Sequence, residues 1–463
     1  MKKSTLALAV AVGVLAQQAG AAGFIEDSKA TLGLRNFYIN TDNRDGATKA
    51  AGAQSKVEEW GQGFDLRFIS GYTQGTVQFG IDAIGLYGVR LDSGRGTNGA
   101  TTTSYGSTMF PTESVNGSNS RAVPDFASLG LTGKVKVSQT ELKIGTLQPN
   151  NPVIKANDGR LLPQTFTGGE LKSNEIKDLT LTGGLINAAK GRNSSNDEGL
   201  SIAGANSPTS SGRRSNKFYY GGADYKLTKD LTASYYYGEL KDFYSQNFLG
   251  LVHNWAIGPG VLKSDLRYYR SRDDGANSDT NAYFTTGYYD DKSVSTRTRG
   301  KVDNDLYSYL ALYSIEGHTF GAGYQYSKGD SDFPWLNQGD GSSASITTDV
   351  QIQKFARAGE RTWQARYAYD FAKVGVPGLT AGIIYLRGNN IDTVGRVGTA
   401  QVTTVGTGGT EWERDISVAY VVPEGTFKNL GFAWKNAMWR NDIPGQRNQD
   451  ENRLIVSYSI PLL

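Results

Sequence analysis

From Thr31 to its end the chain alternates apolar and polar side chains, and the polar face carries charge in mid-run. At the C-terminus, Leu454, Val456, Tyr458, Ile460 and Leu462 fall on one face, with Arg453, Ser457 and Ser459 on the other. Trp363, Ala365, Tyr367, Tyr369 and Phe371 likewise oppose Gln364, Arg366 and Asp370. Leu262, Leu266 and Tyr268 oppose Lys263, Asp265, Arg267 and Tyr269, and Phe64, Leu66 and Phe68 oppose Asp65 and Arg67. A period of two is the pattern of a half-buried strand. In a soluble sandwich the apolar face would turn inward, and a chain this long would rarely be needed. A transmembrane barrel reverses the sides: lipid meets the apolar face, and the charges line the lumen. The expectation is an all-β, transmembrane antiparallel barrel, with roughly 16–18 strands at about 9–11 residues per crossing.

Turn signals divide the runs. Ser138-Gln139-Thr140, Lys229-Asp230 and Glu316-Gly317 are short; Gly94–Arg121, Lys190–Asn216, Asp273–Asn281, Gly329–Thr348 and Gly388–Thr410 are long and polar. Such alternation of connections suits a barrel with short periplasmic turns and longer outer loops. The first residues read as an address. Lys2-Lys3 precede the apolar stretch Leu6–Ala16, and Ala19-Gly20-Ala21 has the form of a cleavage site. The expected organisation is a signal peptide over 1–21 and a barrel over 22–463.

Composition removes other chemistry. With no Cys and only His253 and His318, thiolate metal sites, cysteine nucleophiles and histidine clusters have no raw material. No phosphate-binding loop or hydrolase motif occurs. The formal charge of +3 includes Lys2 and Lys3, so no bulk basicity argues for nucleic acid. No enzyme, cofactor or metal is expected.

Several stretches resemble the OprD family of outer-membrane porins, also called occluded or substrate-specific carboxylate channels. They are Gly23–Ser28 with Leu34–Tyr38, Glu59–Phe64 with Ser70–Val77, Gln148-Pro149 with Asp158–Thr165, Trp363–Tyr367, Gly375–Thr380 and Asn452–Val456, in the family's order. The resemblance implies an 18-stranded monomeric barrel, narrowed by an inward-folded loop, in the outer membrane of a Gram-negative bacterium. Ile154–Arg160 and Gly168–Leu171 are similar to the branch taking monocyclic and aromatic carboxylates. At the terminus Leu462-Leu463 replaces the aromatic residue common in outer-membrane proteins.

In that family a line of basic residues follows one wall into the constriction. Strand parity here selects Arg366, Lys435 and Arg453 on the late strands, while Arg35, Arg67 and Arg267 also read as inward. Further basic residues that the family often carries are absent at Ala419 and Ala433. Each inward cation has a second reading, as a wall brace paired with a lumenal carboxylate. The stretch Leu147–Gly169 matches the inward loop, with Pro149, Pro152 and Pro163 keeping it from regular pairing. It would present Lys155 and Arg160, with Asp158 as its anion. Asp330 and Asp332, in a family-matching stretch, would form an opposing acidic wall. Inward Tyr269 would offer a ring and a hydroxyl donor to an aromatic acid.

The function expected is passive uptake of small carboxylate-bearing solutes, most simply monocyclic or aromatic acids. Alternatives are a porin for basic amino acids or peptides, a nonspecific diffusion porin and, least of all, a barrel hydrolase. Expected partners are small organic acids, outer-membrane lipid and lipopolysaccharide, with the barrel a monomer or weak trimer.

Overall fold

Residues 23–44, 56–92, 109–115, 119–203, 214–276, 302–329, 331–337, 344–397, 400–443 and 446–463 are described by a computed structural model. The leader read over 1–21 lies outside them. Eighteen strands form one sheet. They are β1 (Lys29–Asn43), β2 (Lys56–Ile69), β3 (Val77–Asp92), β4 (Asp125–Val137), β5 (Thr140–Leu147) and β6 (Thr165–Ser173). Next come β7 (Leu179–Lys190), β8 (Phe218–Lys226), β9 (Leu231–Leu240), β10 (Tyr244–Ile257), β11 (Gly260–Asp273) and β12 (Asp303–Ile315). The last are β13 (His318–Lys328), β14 (Arg361–Asp370), β15 (Leu379–Val397), β16 (Ala400–Val421), β17 (Gly431–Asn441) and β18 (Gln449–Pro461). Each pairs antiparallel with its chain neighbours, and β1 also pairs with β18, from Thr31↔Pro461 to Asn43↔Gln449. That last pairing closes the barrel and leaves no edge.

The side chains follow the expected inversion. Leu454 and Leu266 are each 51% exposed on the outer surface, whereas inward Gln364 is 2% exposed. The aromatic runs split by parity: Tyr219 and Tyr235 face out, while Tyr220 and Tyr236 are buried within. Apolar clusters also occur inside the barrel. One joins Phe37 and Ile39 to Phe110, Leu161 and Leu162; another joins Val153 and Phe166 to Phe218, Tyr244 and Tyr269. They bring residues of the connections against inward-facing residues of the wall.

Turns at 138–139, 227–230, 258–259 and 316–317 share one rim. At Glu316-Gly317 both residues are left-handed, with φ of 47° and 85°, the backbone that a two-residue hairpin requires. Connections at the other rim are mostly long, which makes it the outer side. One long connection expected there differs. Residues 388–410 continue the ladder of β15 and β16 as far as Val397↔Ala400, with register shifts beyond Gly388. The stretch is rich in Thr and Val, which favour strand backbone, and beyond the bilayer neither face of a hairpin must be apolar.

The outward face of β18 makes a stringent test. Val456→Arg puts a charge in lipid and should cost about 2–4 kcal/mol if it lies near the midplane. Ser459→Arg, facing the lumen, should change folding little. Urea unfolding in lipid vesicles checks this, and equal costs for both variants would contradict the assignment of faces.

Candidate channel lining

Among the connections that lie against inward-facing side chains, two reach the charged wall. The first, residues 148–164, leaves β5 with Pro149 and forms a small turn in which Asn150 pairs with Lys155. Glycines on the wall make room for it. A Cβ on Gly61 would stand 2.8 Å from a methyl of Leu161, and one on Gly63 would stand 2.9 Å from the Leu161 carbonyl. Asp158 takes both ends of the Arg35 guanidinium, at 2.6 and 3.0 Å, and Arg35 also donates to the Arg160 carbonyl at 2.8 Å. Arg160 approaches Glu451 of β18 at 3.7 Å.

The second, residues 344–358, was read from sequence only as part of a polar outer connection that ended at Thr348. It instead lies along the late strands. Gln325 of β13 donates to the Phe355 carbonyl at 2.7 Å, and Arg366 of β14 donates to the Thr347 carbonyl. The Glu413 carboxylate of β16 accepts the backbone N–H groups of Ile352 and Gln353, at 2.9 and 2.8 Å. Arg453 of β18 donates to the Gln351 carbonyl at 3.0 Å. The two connections meet where Ser345 Oγ donates to the Asn151 carbonyl at 3.0 Å.

Beside that junction is a cavity of about 540 Å³. Lys155 enters it from the first connection, Lys263, Asp265 and Arg267 from β11, and Arg366 from β14. Asp265 is committed to Arg267 by two bonds of 2.8 and 2.6 Å, and Arg267 also donates to the Ser345 carbonyl at 3.0 Å. Arg366 reaches only neutral acceptors, Gln364 Oε1 at 2.8 Å and the Thr347 carbonyl. Neither Lys155 nor Lys263 has an ion pair among the described residues. The cavity therefore carries excess positive charge, together with guanidinium groups held by packing. This is an environment for a small anion.

Of the residues named from sequence, Lys155, Arg267 and Arg366 share this cavity. Arg35, Asp158, Arg160, Lys435 and Arg453 gather on another side, where Lys435 stands opposite Arg453 in the β17–β18 ladder. Three expectations need correction. Arg453 is only 7% exposed and is bound to Glu451 at 2.6 Å, so it braces the second connection and is not open to a solute. Tyr269 faces inward but is wholly buried between Phe248 and Phe333, its hydroxyl spent on the Ser345 carbonyl. Asp332 accepts the Ala358 N–H at 2.8 Å, which makes it a holder of the second connection. Asp330 lies outside the described residues. Arg67 is paired with Asp65 at 2.8 Å in a separate cavity of about 240 Å³ nearer the short-turn rim.

Sequence reading also missed residues. Lys263 was placed on the inward face yet not selected for the pathway. Glu411, Glu413, Asp415 and Glu451 are buried beneath the second connection. Their signal was present in Glu411-Trp412-Glu413-Arg414-Asp415, an acid at every second position. Glu360, just before β14, belongs to the same acidic group. Burial first, then Glu411, pushes its carboxyl well above the ordinary 4.5. It accepts the Arg357 N–H at 3.0 Å and the Thr362 hydroxyl at 3.2 Å. Burial opposes the charge of Arg357, but Glu411, Asp332 and Glu360 outweigh it and hold the guanidinium above its usual value.

A closed barrel with lipid-facing apolar residues, polar wall residues and connections packed against its interior defines an outer-membrane porin. The chain matches the model of the outer membrane porin, OprD family, over residues 22–462. It is similar to OccK8 (OprE) of Pseudomonas aeruginosa, with a TM-score of 0.82 and 56% identity over 95% of this chain and 100% of that one. It is also similar to OpdK of P. aeruginosa, crystallised with vanillate, with a TM-score of 0.78 and 35% identity over 95% of this chain and 100% of that one. The porin-like protein GalP of Pseudomonas putida is 34% identical over 99% of this chain and 97% of its own. The chain belongs to the OprD family, and its barrel lies in the outer membrane of a Gram-negative bacterium.

Two outcomes follow from the anchors. Glu413→Ala removes two hydrogen bonds from backbone N–H groups, each worth about 0.5–1.5 kcal/mol. In an assembled barrel it should give larger and noisier single-channel currents, and an unchanged trace would show that residues 344–358 are held without it. For Glu360 the folded state binds the proton more tightly than the unfolded state, so stability falls as pH rises above about 4.5. Glu360→Gln should remove that fall: unfolding midpoints of variant and wild type should diverge in the variant's favour between pH 5 and pH 8.

Proposed function

We propose that this porin is a passive channel preferring small carboxylate-bearing solutes, with monocyclic and aromatic acids its natural class. The observation that carries the reading is the cavity where Lys155, Lys263 and Arg366 stand without carboxylate partners, beside the packed Arg267–Asp265 pair. A carboxylate shedding part of its hydration there meets a planar donor group and two ammonium groups that have no carboxylate partner. Several such contacts, none fully enclosing, let the anion enter and leave. Residues 147–169 and 344–358 narrow the lumen in this reading, so the solute passes within reach of these cations. Apolar neighbours Phe248, Val252 and Leu310 line the same cavity and suit a ring. OpdK, the relative crystallised with vanillate, supports an aromatic acid as the solute class.

A carboxylate contact of this kind is worth about 1.5–3 kcal/mol. Arg366→Gln alone should lower benzoate flux modestly, because Lys155 and Lys263 remain. Lys155→Gln with Arg366→Gln should lower it about tenfold or more, while a neutral sugar of similar size passes as before. Liposome swelling reads both fluxes. Parallel loss of acid and sugar would mean a damaged barrel, and unchanged acid flux would sink the anion reading. A greater loss for arginine than for benzoate would point to the basic amino acid branch.

A further inference from the structure

The outer surface of the barrel distributes its cations unevenly. On β1 and β2 the exposed pair Lys56–Glu58 is self-neutralised, and Arg44, just past β1, is bound to Asp450 at 2.7 Å. On β14 to β17, by contrast, an outward arginine stands on every strand: Arg361, Arg387, Arg414 and Arg440. They share the face of Trp363, Ile383, Val418 and Trp434, which are exposed where the wall meets lipid. Arg440 shares Asp450 with Arg44, at 2.6 Å, and Arg44 has Asp42 at 3.4 Å as well. The other three have no ion pair among the described residues.

The ladder sets these three among aromatic rings. Arg387 lies opposite Trp363 on one side and Trp412 on the other, and Arg414 lies opposite Tyr385. The Arg361 guanidinium sits 5.0 Å over the Tyr326 ring. Arg414 donates to Asn436 Oδ1, yet its Nε is shielded from water and has no hydrogen-bond partner. Below them the outward residues are apolar: Tyr367, Ile383, and Ile416 with Val418. The arginines thus mark the upper border of the lipid-facing band, on the rim with long connections. The register steps each arginine two residues further down the wall than the last, level with Asn389, Arg387 and Tyr385 of β15, so neighbouring charges lie about 8 Å apart and the outer two about 16 Å, enough to span a disaccharide with a phosphate at either end.

We propose that Arg361, Arg387 and Arg414 bind the phosphorylated disaccharide headgroup of an outer-leaflet glycolipid, with Trp363, Trp412 and Tyr385 packed against its sugar and upper acyl carbons. A guanidinium pairs bidentately with phosphate, and Trp and Tyr favour the interface between apolar chains and headgroups. Arginines that merely snorkel would accept any anionic lipid. The site proposed here distinguishes lipids by phosphates placed to match the diagonal spacing of the three arginines.

The test is native mass spectrometry of the intact barrel in detergent, titrated with diphosphoryl lipid A, its dephosphorylated form, and phosphatidylglycerol. The wild type should retain diphosphoryl lipid A at least tenfold better than either other lipid. Arg361→Gln/Arg387→Gln/Arg414→Gln should lose that preference while keeping heat-modifiable mobility and the single-channel conductance, since none of the three faces the lumen. If the triple variant does not assemble, Arg361→Gln/Arg387→Gln keeps the Arg414–Asn436 bond and should lose most of the preference. Equal retention of phosphatidylglycerol by the wild type, or undiminished lipid A binding by an assembled variant, overturns the proposal.

Discussion

Lipid offers no hydrogen bonds, so every backbone N–H and C=O within the bilayer must find a partner in the protein. A sheet meets that requirement only by closing, and the β1–β18 ladder closes this one. Closure fixes the rest. The outer face must be apolar, the charged face turns inward, and side chains that would be solvated on a soluble sheet become the wall of a lumen. A barrel of eighteen strands encloses more space than its own wall side chains fill. Connections pack against the inward face, residues 148–164 and 344–358 among them, and the first lies beside wall glycines where a Cβ would collide.

Holding backbone against a polar wall requires buried charge, and buried charge requires partners. Glu413 receives two N–H groups, Arg453 is held between Glu451 and the Gln351 carbonyl, and Arg35 is clasped by Asp158. These ionic groups are consumed by structure. Lys155, Lys263 and Arg366 have no carboxylate partner, although Arg366 also bonds the Thr347 carbonyl, and they give the cavity its excess charge. The division between bracing and free cations depends on who pairs with whom, not on the number of inward cations.

The same residue type serves different ends on the two faces of one strand. In β14, Arg366 points to the lumen and reaches the Thr347 carbonyl, while Arg361 points outward and covers Tyr326. Five positions apart, they lie on opposite sides because successive side chains alternate. One surface meets a passing solute in water, the other meets headgroups at the lipid border. Their electrostatics are separated by the wall itself.

The sequence by itself determined what alternation controls. Leu454 outward, Arg366 inward and the split of neighbouring tyrosines follow from the pleat, which is local and steric. The short turns were legible for the same reason, and the family resemblance supplied the strand number. Only the tertiary structure decided which inward residues are available. Arg35 meets Asp158 across 123 residues of chain and Arg453 meets Gln351 across 102, so no local pattern announces either pairing. Tyr269 was correctly placed inward, yet Ser345, Phe248 and Phe333 cover it. Residues 344–348 read as outer-loop material, and 349–358 carried no assignment, because their polarity suits water as well as it suits a charged wall. Parity is set by each residue's neighbours in the chain, whereas burial and ion pairing are set by whatever the closed barrel brings to the same height.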